Sequence, residues 1–500
     1  RPVRYLIFQW MLMRLLSVTA AWNVLLIANA LLCSNAASAD ERPNIVFMMT
    51  DDQRNDTLGC AGHPIIQTPN IDSLALEGVR FQDMFVSSSI CWVSRATILT
   101  GQHARSWGSP TRPDTIRAGR ADDIYPKLLR QAGYRTGFFG KWHAKMPAGF
   151  DKASCFDEYE DIFRRPYFKQ QPDGSLRHTT QIIGDRAVDF LQSQPKDQPF
   201  ALTLWFNASH AEDGDKRPGI GHFPWPKVVD GMYEDVPMPP PRLNNPEIFE
   251  SQPAFLKQSI NRDRFFWRWD TPEKYETNMR AYFRMISGID HVLGRVRQQL
   301  QQLGMAENTI IVYTADNGYY MGDRGFAGKW SHYEQSLRVP LIVHDPRVPS
   351  EQRGRIANET AINVDLPATF LSWAGLPTPD TYEGHSLASI VNGATPARWR
   401  NDFFCEHVVL APHITWEGVR NSRYIYARYF DQRPVYEFLH DLQTDPDQLT
   451  NLADSPAHAE IMQQLRTRCD ELVDRYGGPL APMELRSRRP AQRKRAAPKK

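Results

Sequence analysis

Apolar positions along this chain follow two rhythms. Residues 44–49, Asn-Ile-Val-Phe-Met-Met, are almost continuously apolar, which predicts a strand buried on both faces of a parallel sheet. Helical spacing follows over 71–77, 96–99 and 124–132, the last ended by Gly133 as a C-terminal stop. Residues 134–139 and 200–206 read as further strands, with a helix over 180–192 between them. The clearest periodicity places Tyr282, Ile286, Ile289, Leu293, Val296, Leu300 and Leu303 at steps of four and three, predicting one long helix from 275 to 303. It leads into a buried strand over 309–314, and 339–344 is one more. Strands alternating with helices predict an α/β sheet covered by helices on both faces. Such sheets bind ligands at the carboxyl ends of their strands.

Two stretches break the rhythm. Residues 210–271 are rich in proline and aromatics, including Phe265-Phe266-Trp267-Arg268-Trp269, and read as a long loop region. Its rings and arginines either stack on sugar faces or pin the loop itself down. The last hundred residues change character: short antiparallel strands at 423–426 and 435–439, turns at 445–446 and 451–452, and a helix over 457–475.

Five hundred residues of ordinary globular composition exclude the disordered and fibrous classes. The net charge of +2 hides a segregation, because residues 1–39 hold three arginines and no acid while 486–500 hold eight Lys/Arg and no acid. Residues 40–485 are therefore left at −9. An acidic body argues against nucleic-acid partners, and an anionic substrate has to meet a local basic pocket. The 486–500 tail, with no apolar period, reads as a solvated, disordered arm. An apolar run over 24–32, preceded by Arg14 and followed by Ala37-Ser38-Ala39, reads as a secretory signal occupying 1–39. It predicts a secreted or periplasmic protein with no stable membrane span once the signal is removed. Cys60, Cys155, Cys405 and Cys469 are too scattered for a disulfide scaffold and leave room for one bridge.

The chemistry sits where strands end. Asp51-Asp52 leave the first strand, and Asp316-Asn317-Gly318 leave the strand at 309–314. Together they supply three carboxylates and one amide oxygen, an all-oxygen donor set suited to Ca²⁺ or Mg²⁺ rather than Zn²⁺. Lys141 and His143 follow the strand at 134–139; in an extended segment they would project to one side, a cation beside a titratable imidazole. His210 follows the strand ending near 206, and Lys329 lies in a loop after Asp316-Asn317. Cys91-Trp92-Val93-Ser94-Arg95 opens the helical run at 96–99, where free N–H groups and the dipole favour an anion.

That pentapeptide closely resembles the type I sulfatase signature. Segments 43–52, 68–72, 91–101, 140–143, 315–318, 328–334, 337–340 and 445–452 resemble the motifs of the same family in the same order, across nearly the whole mature chain. The resemblance implies an alkaline-phosphatase-like fold: a large mixed, mostly parallel sheet sandwiched by helices over 40–385, with a small C-terminal α+β subdomain over 386–485. It implies that a maturation enzyme oxidises Cys91 to formylglycine. It also implies that Asp51, Asp52, Asp316, Asn317 and the modified Cys91 hold Ca²⁺ in preference to Mg²⁺. The formylglycine hydrate would attack sulfur in line, with Lys141 and Arg95 stabilising the nucleophile. Lys329 and His210 would contact the sulfate and the leaving oxygen, His210 as proton donor. His143 would draw a proton from the second hydroxyl, expelling sulfate. The expected activity is sulfuric ester hydrolysis on a sulfated saccharide. Val93 departs from the proline or alanine usual two places after the cysteine, which bears on maturation. The alternatives are a phosphonate or phosphate ester hydrolase on the same scaffold, or a non-catalytic binder of sulfated glycans with Cys91 left as thiol.

Overall fold

The computed structural model describes residues 42–214, 221–409 and 414–486. The expected signal over 1–39 and, beyond Arg486, the basic tail lie outside these residues.

An eight-stranded sheet organises the chain. Its order runs Arg355–Ala357, Val79–Phe81, Leu341–His344, Thr309–Ala315, Asn44–Thr50, Phe200–Trp205, Arg135–Gly140, Glu158–Asp161. Only Leu341–His344 is antiparallel to its neighbours, so the sheet is mixed and mostly parallel. Asn44–Thr50 lies between two parallel partners and is buried along its whole length. Its side chains divide with the period of two that a strand imposes. Val46 and Met48 pack with the helices Thr179–Gln192 and Pro272–Gln302, whereas Ile45, Phe47 and Met49 pack with Cys91–Thr100 and Asp365–Trp373. The long helix expected over 275–303 starts earlier, at Pro272, because Thr271 caps it through its hydroxyl and proline suits the first turn.

Parallel pairing aligns four strand ends. Thr50 is in register with Ala315, Met49 with Trp205, and Gly140 with Trp205. Asp51, Asp316, Asn207 and Lys141 therefore leave the sheet along one edge.

Three short strands at or next to the sheet's edges escape the apolar pattern: Val79–Phe81, Arg355–Ala357 and Glu158–Asp161, the last reading Glu-Tyr-Glu-Asp. Pairing with a neighbour, not side-chain alternation, makes them strands. The loop expected over 210–271 is corrected in part, since it contains the helices Pro246–Glu250, Ala254–Lys257 and Ile260–Arg268. Consecutive aromatics there have no helical period, which hid them. Trp269 packs against Phe223, Tyr275 and Tyr319 in the core and does not face solvent.

Towards the C-terminus, Asp402–His407, Trp416–Asn421, Tyr424–Tyr429 and Tyr436–Asp441 form an antiparallel sheet in sequence order, two strands more than the sequence predicts. The helix Ala459–Arg475 lays Met462, Leu465, Cys469 and Leu472 on Val419, Tyr426 and Leu439. Cys60, Cys91, Cys155, Cys405 and Cys469 are all free thiols, so no bridge forms among them. Among the described residues no helix is long and apolar enough to cross a membrane.

Candidate active site

Cys91 is the first residue of the helix Cys91–Thr100, whose N-cap, Ile90, offers no side-chain acceptor. One turn on, Arg95 is fully buried. Its Nε donates to Asp316 Oδ2 at 2.8 Å, its Nη2 lies 3.6 Å from Asp51 Oδ2, and its Nη1 donates to the Lys141 carbonyl at 2.5 Å. The guanidinium rests over the Trp205 ring at 5.2 Å. One side chain thus clamps two acids from two strands. Ser94 instead accepts from Asn363 Nδ2 at 2.9 Å, and Asn363 Oδ1 accepts from the Ser87 N–H at 3.0 Å, anchoring the helix from behind.

Lys141 meets Asp51 and Lys329 meets Asp52, both as buried ion pairs. Asn317 Nδ2 donates to Asp52 Oδ1 at 2.7 Å. Asp52 adopts a left-handed backbone, φ +58°, and its carbonyl accepts from Tyr282 Oη at 2.8 Å. His210 sits with Nε2 3.7 Å from Asp52 Oδ2, and its Nδ1 donates to the Ala211 carbonyl at 2.6 Å. His143 differs from expectation in how it arrives. The strand ends at Gly140, Trp142 turns into the core, and His143 takes φ +55°. It reaches the same field of charge by a turn, not by strand alternation.

All ten residues singled out in the sequence converge on this edge. Ligand atoms of Asp51, Cys91 and Asp316 lie within 4.8 Å of one another, as do those of Asp51, Asp52 and His210. Asp51 Oδ1 and Asn317 Oδ1 are buried without any hydrogen-bond partner. Buried oxygens left so are costly, and a hard cation is the species that uses them. The donor chemistry fits a Ca²⁺-type ion. Three acids balance Arg95, Lys141 and Lys329, so a divalent ion would leave the site positive and receptive to an anion.

The electrostatics agree. Burial raises the Asp51 carboxyl, but Lys141, Arg95 and Lys329 outweigh it and hold that group well below the usual range. Burial, and then the Asp51 charge, push Asp316 up to about 6. Burial raises the Cys91 thiol against the pull of Lys141 and Lys329. A neutral, buried thiol is a poor nucleophile as it stands. Burial, followed by Lys141 and Arg95, lowers His143 to about 2, leaving a neutral imidazole. His210 is likewise held well below its ordinary value by burial and then by Arg164 and Lys329.

Sequence reasoning missed Arg164. It follows Glu158–Asp161, the polar edge strand with no apolar signature, so the rule that chemistry sits at strand ends had no strand to act on.

A mixed sheet with acids and bases gathered at its carboxyl edge, joined to a small antiparallel sheet, defines the alkaline-phosphatase-like class of hydrolases. The family model described as Sulfatase matches residues 43–376, and one described as N-sulphoglucosamine sulphohydrolase, C-terminal, matches residues 322–475. The chain belongs to the sulfatase family and is a sulfuric ester hydrolase. It is 29% identical to an N-acetylglucosamine-6-O-sulfatase of Bacteroides thetaiotaomicron, over 89% of this chain and 88% of that protein. A solved structure of a protein with its substrate D-glucosamine-2-N,6-O-disulfate superposes with a TM-score of 0.71 at 25% identity, covering 87% of this chain and 98% of that one. The phosphonate monoester hydrolase of Agrobacterium radiobacter shares the fold, with a TM-score of 0.73 at 22% identity over 87% of this chain and 96% of its own.

Proposed function

We propose that this sulfatase releases sulfate from a sulfated saccharide, using formylglycine made from Cys91 and a bound Ca²⁺. The observation that carries the reading is Cys91 at a helix N-terminus within one cluster with Asp51 and Asp316. The saccharide is supported by the glucosamine-directed relatives named above. Secretion is supported by the segment over 1–39.

Asp51, Asp52, Asp316 and Asn317, with residue 91, would hold the ion. Ca²⁺ supplies positive charge that polarises a sulfate oxygen, and formylglycine as its hydrate supplies an oxygen nucleophile with a second hydroxyl. Arg95 fixes Asp51 and Asp316 relative to residue 91. Lys141 and Lys329 each spend one ammonium donor on a carboxylate, which leaves two for charge building on sulfate oxygens. His143, neutral and with Nδ1 unpartnered, is fit to accept a proton beside residue 91. His210 Nδ1–H is engaged by Ala211, so its Nε2 is the atom that serves the leaving oxygen. A bound anionic substrate raises the proton affinity that the surrounding cations depress.

The test is mass spectrometry of the peptide bearing residue 91, after co-expression with a formylglycine-generating enzyme, alongside sulfate and phosphate release from matched aryl esters. An aldehyde at 91, dominant sulfate release and loss of turnover in Cys91→Ala are expected. Dominant phosphate release would favour the ester-hydrolase alternative. A persistent thiol with undiminished glycan affinity would mark a binding protein.

A further inference from the structure

Arg164 is a feature of the edge that the sulfate chemistry leaves unused. The residue is 5% exposed, its Nε is buried without a hydrogen-bond partner, and no carboxylate forms a salt bridge with it among the described residues. Its guanidinium lies over the Phe163 ring at 5.3 Å, and it feels the charges of Asp51 and Asp213 without a direct salt bridge to either. Guanidinium does not give up its proton in a protein, so burial here maintains a cation with no direct salt-bridge partner.

The backbone aims that cation at the site. Ile162, two residues earlier, donates its N–H to the Gly140 carbonyl at 2.8 Å and accepts from Asn207 Nδ2 at 2.7 Å. Arg164 thereby sits between the Lys141–His143 turn and the Asn207–His210 turn. Phe163, the ring under the Arg164 guanidinium, itself meets the His143 ring at 6.2 Å. Also near His210, Arg264 donates to Asp213 at 2.9 Å and lies over the Trp330 ring at 4.9 Å, next to Lys329. Arg268 meets the same Asp213. Three guanidiniums therefore face one carboxylate beside His210, where the leaving group would sit.

We propose that Arg164, with Arg264 nearby, is a subsite for a second oxyanion on the substrate, adjacent to the scissile sulfate. This rests on the sulfatase reading and narrows it: the preferred substrate is a saccharide with two negative groups. That second charge, a sulfo group on the same sugar or the carboxylate of a neighbouring uronic acid, supplies the direct salt-bridge partner that Arg164 lacks. A charge-assisted pair of this kind is worth about 1.5–3 kcal/mol, or about 10–100-fold in affinity.

The experiment measures affinity by calorimetry in the full-length Cys91→Ala protein with Ca²⁺, so that it does not depend on turnover. The probes are N-acetylglucosamine 6-sulfate, glucosamine-2-N,6-O-disulfate, and the 6-sulfated sugar joined to a uronic acid. One doubly charged probe is expected to bind at least about tenfold tighter than the singly charged sugar. Arg164→Gln is expected to erase that preference, and Arg164→Lys to restore part of it. The N-sulfo and uronate arms identify which source supplies the charge. Equal affinity for all three probes overturns the proposal. So does an equal loss on every probe in Arg164→Gln, which would place Arg164 on the transferred sulfate. Absence of sulfate release from matured enzyme defeats the sulfatase reading separately and leaves the binding ratio to decide this one.

Discussion

Arg95→Met puts the architecture of the site to a quantitative test. The native guanidinium is fully buried and faces two acids at 2.8 and 3.6 Å, and it also donates to two backbone carbonyls. At an effective dielectric near 20, those two charge pairs are worth about 6 and about 5 kcal/mol before desolvation is subtracted. Deleting one member of a buried ion cluster costs about 3–5 kcal/mol net, because the partners stay buried and uncompensated. Methionine keeps the stem volume, so little of the loss comes from a cavity. Lys141 and Lys329 then face three carboxylates alone, and the cluster changes from balanced to net negative. Urea unfolding in EDTA should show Arg95→Met less stable than the native protein by that amount. Added Ca²⁺ should raise the variant's midpoint more than the native one, because ligand binding to the folded state stabilises it by mass action. Arg95→Lys, which keeps the charge without the fork, should fall between the two. A variant as stable as the native chain in EDTA, with no larger response to Ca²⁺, would refute the claim that Arg95 neutralises a preformed acid cluster.

Two further outcomes follow from local geometry. His178 caps the helix Thr179–Gln192 by accepting from the Thr180 N–H at 3.2 Å, while its Nε2 donates to the Pro224 carbonyl at 3.1 Å. Burial lowers it to about 3, below the ordinary 6.5 of the unfolded chain, so the unfolded state binds the extra proton in between. Its stability contribution is whole above 6.5 and drains as pH falls towards 3, by about 1.4 kcal/mol per unit. His178→Asn keeps the cap acceptor and should flatten the pH dependence of the urea midpoint by that slope; parallel curves would count against it. Gly140 turns the chain with φ +130°, and a Cβ there would collide with the Trp205 carbonyl. Gly140→Ala should therefore lower the thermal midpoint, with strain of about 1–3 kcal/mol, and reduce turnover by shifting Lys141; an unchanged midpoint would show that the turn can relax.

Local composition wrote much of this protein. The continuous apolar run at 44–49 could be nothing but a strand covered on both faces, and the four-three spacing through 282–303 fixed the longest helix. Acids directly after apolar runs, and a cysteine and arginine one turn apart, placed the chemistry at element ends. These signals are local, because hydrophobic period and strand termini are properties of a few neighbouring residues.

Other features required the assembled sheet. Glu158–Asp161 has no apolar period and becomes a strand only by hydrogen bonding to Arg135–Gly140. Arg164, which that strand delivers to the site, was invisible for the same reason. Lys141 and His143 meet the same charges through a left-handed turn that no strand rule foretells. Charge balance was also decided in three dimensions, since Arg95, Lys141 and Lys329 neutralise acids more than forty residues distant in every case. Sequence sets which groups exist and where each segment ends. Parallel register decides which ends coincide, because side chains act on one another through distance in space and not along the chain.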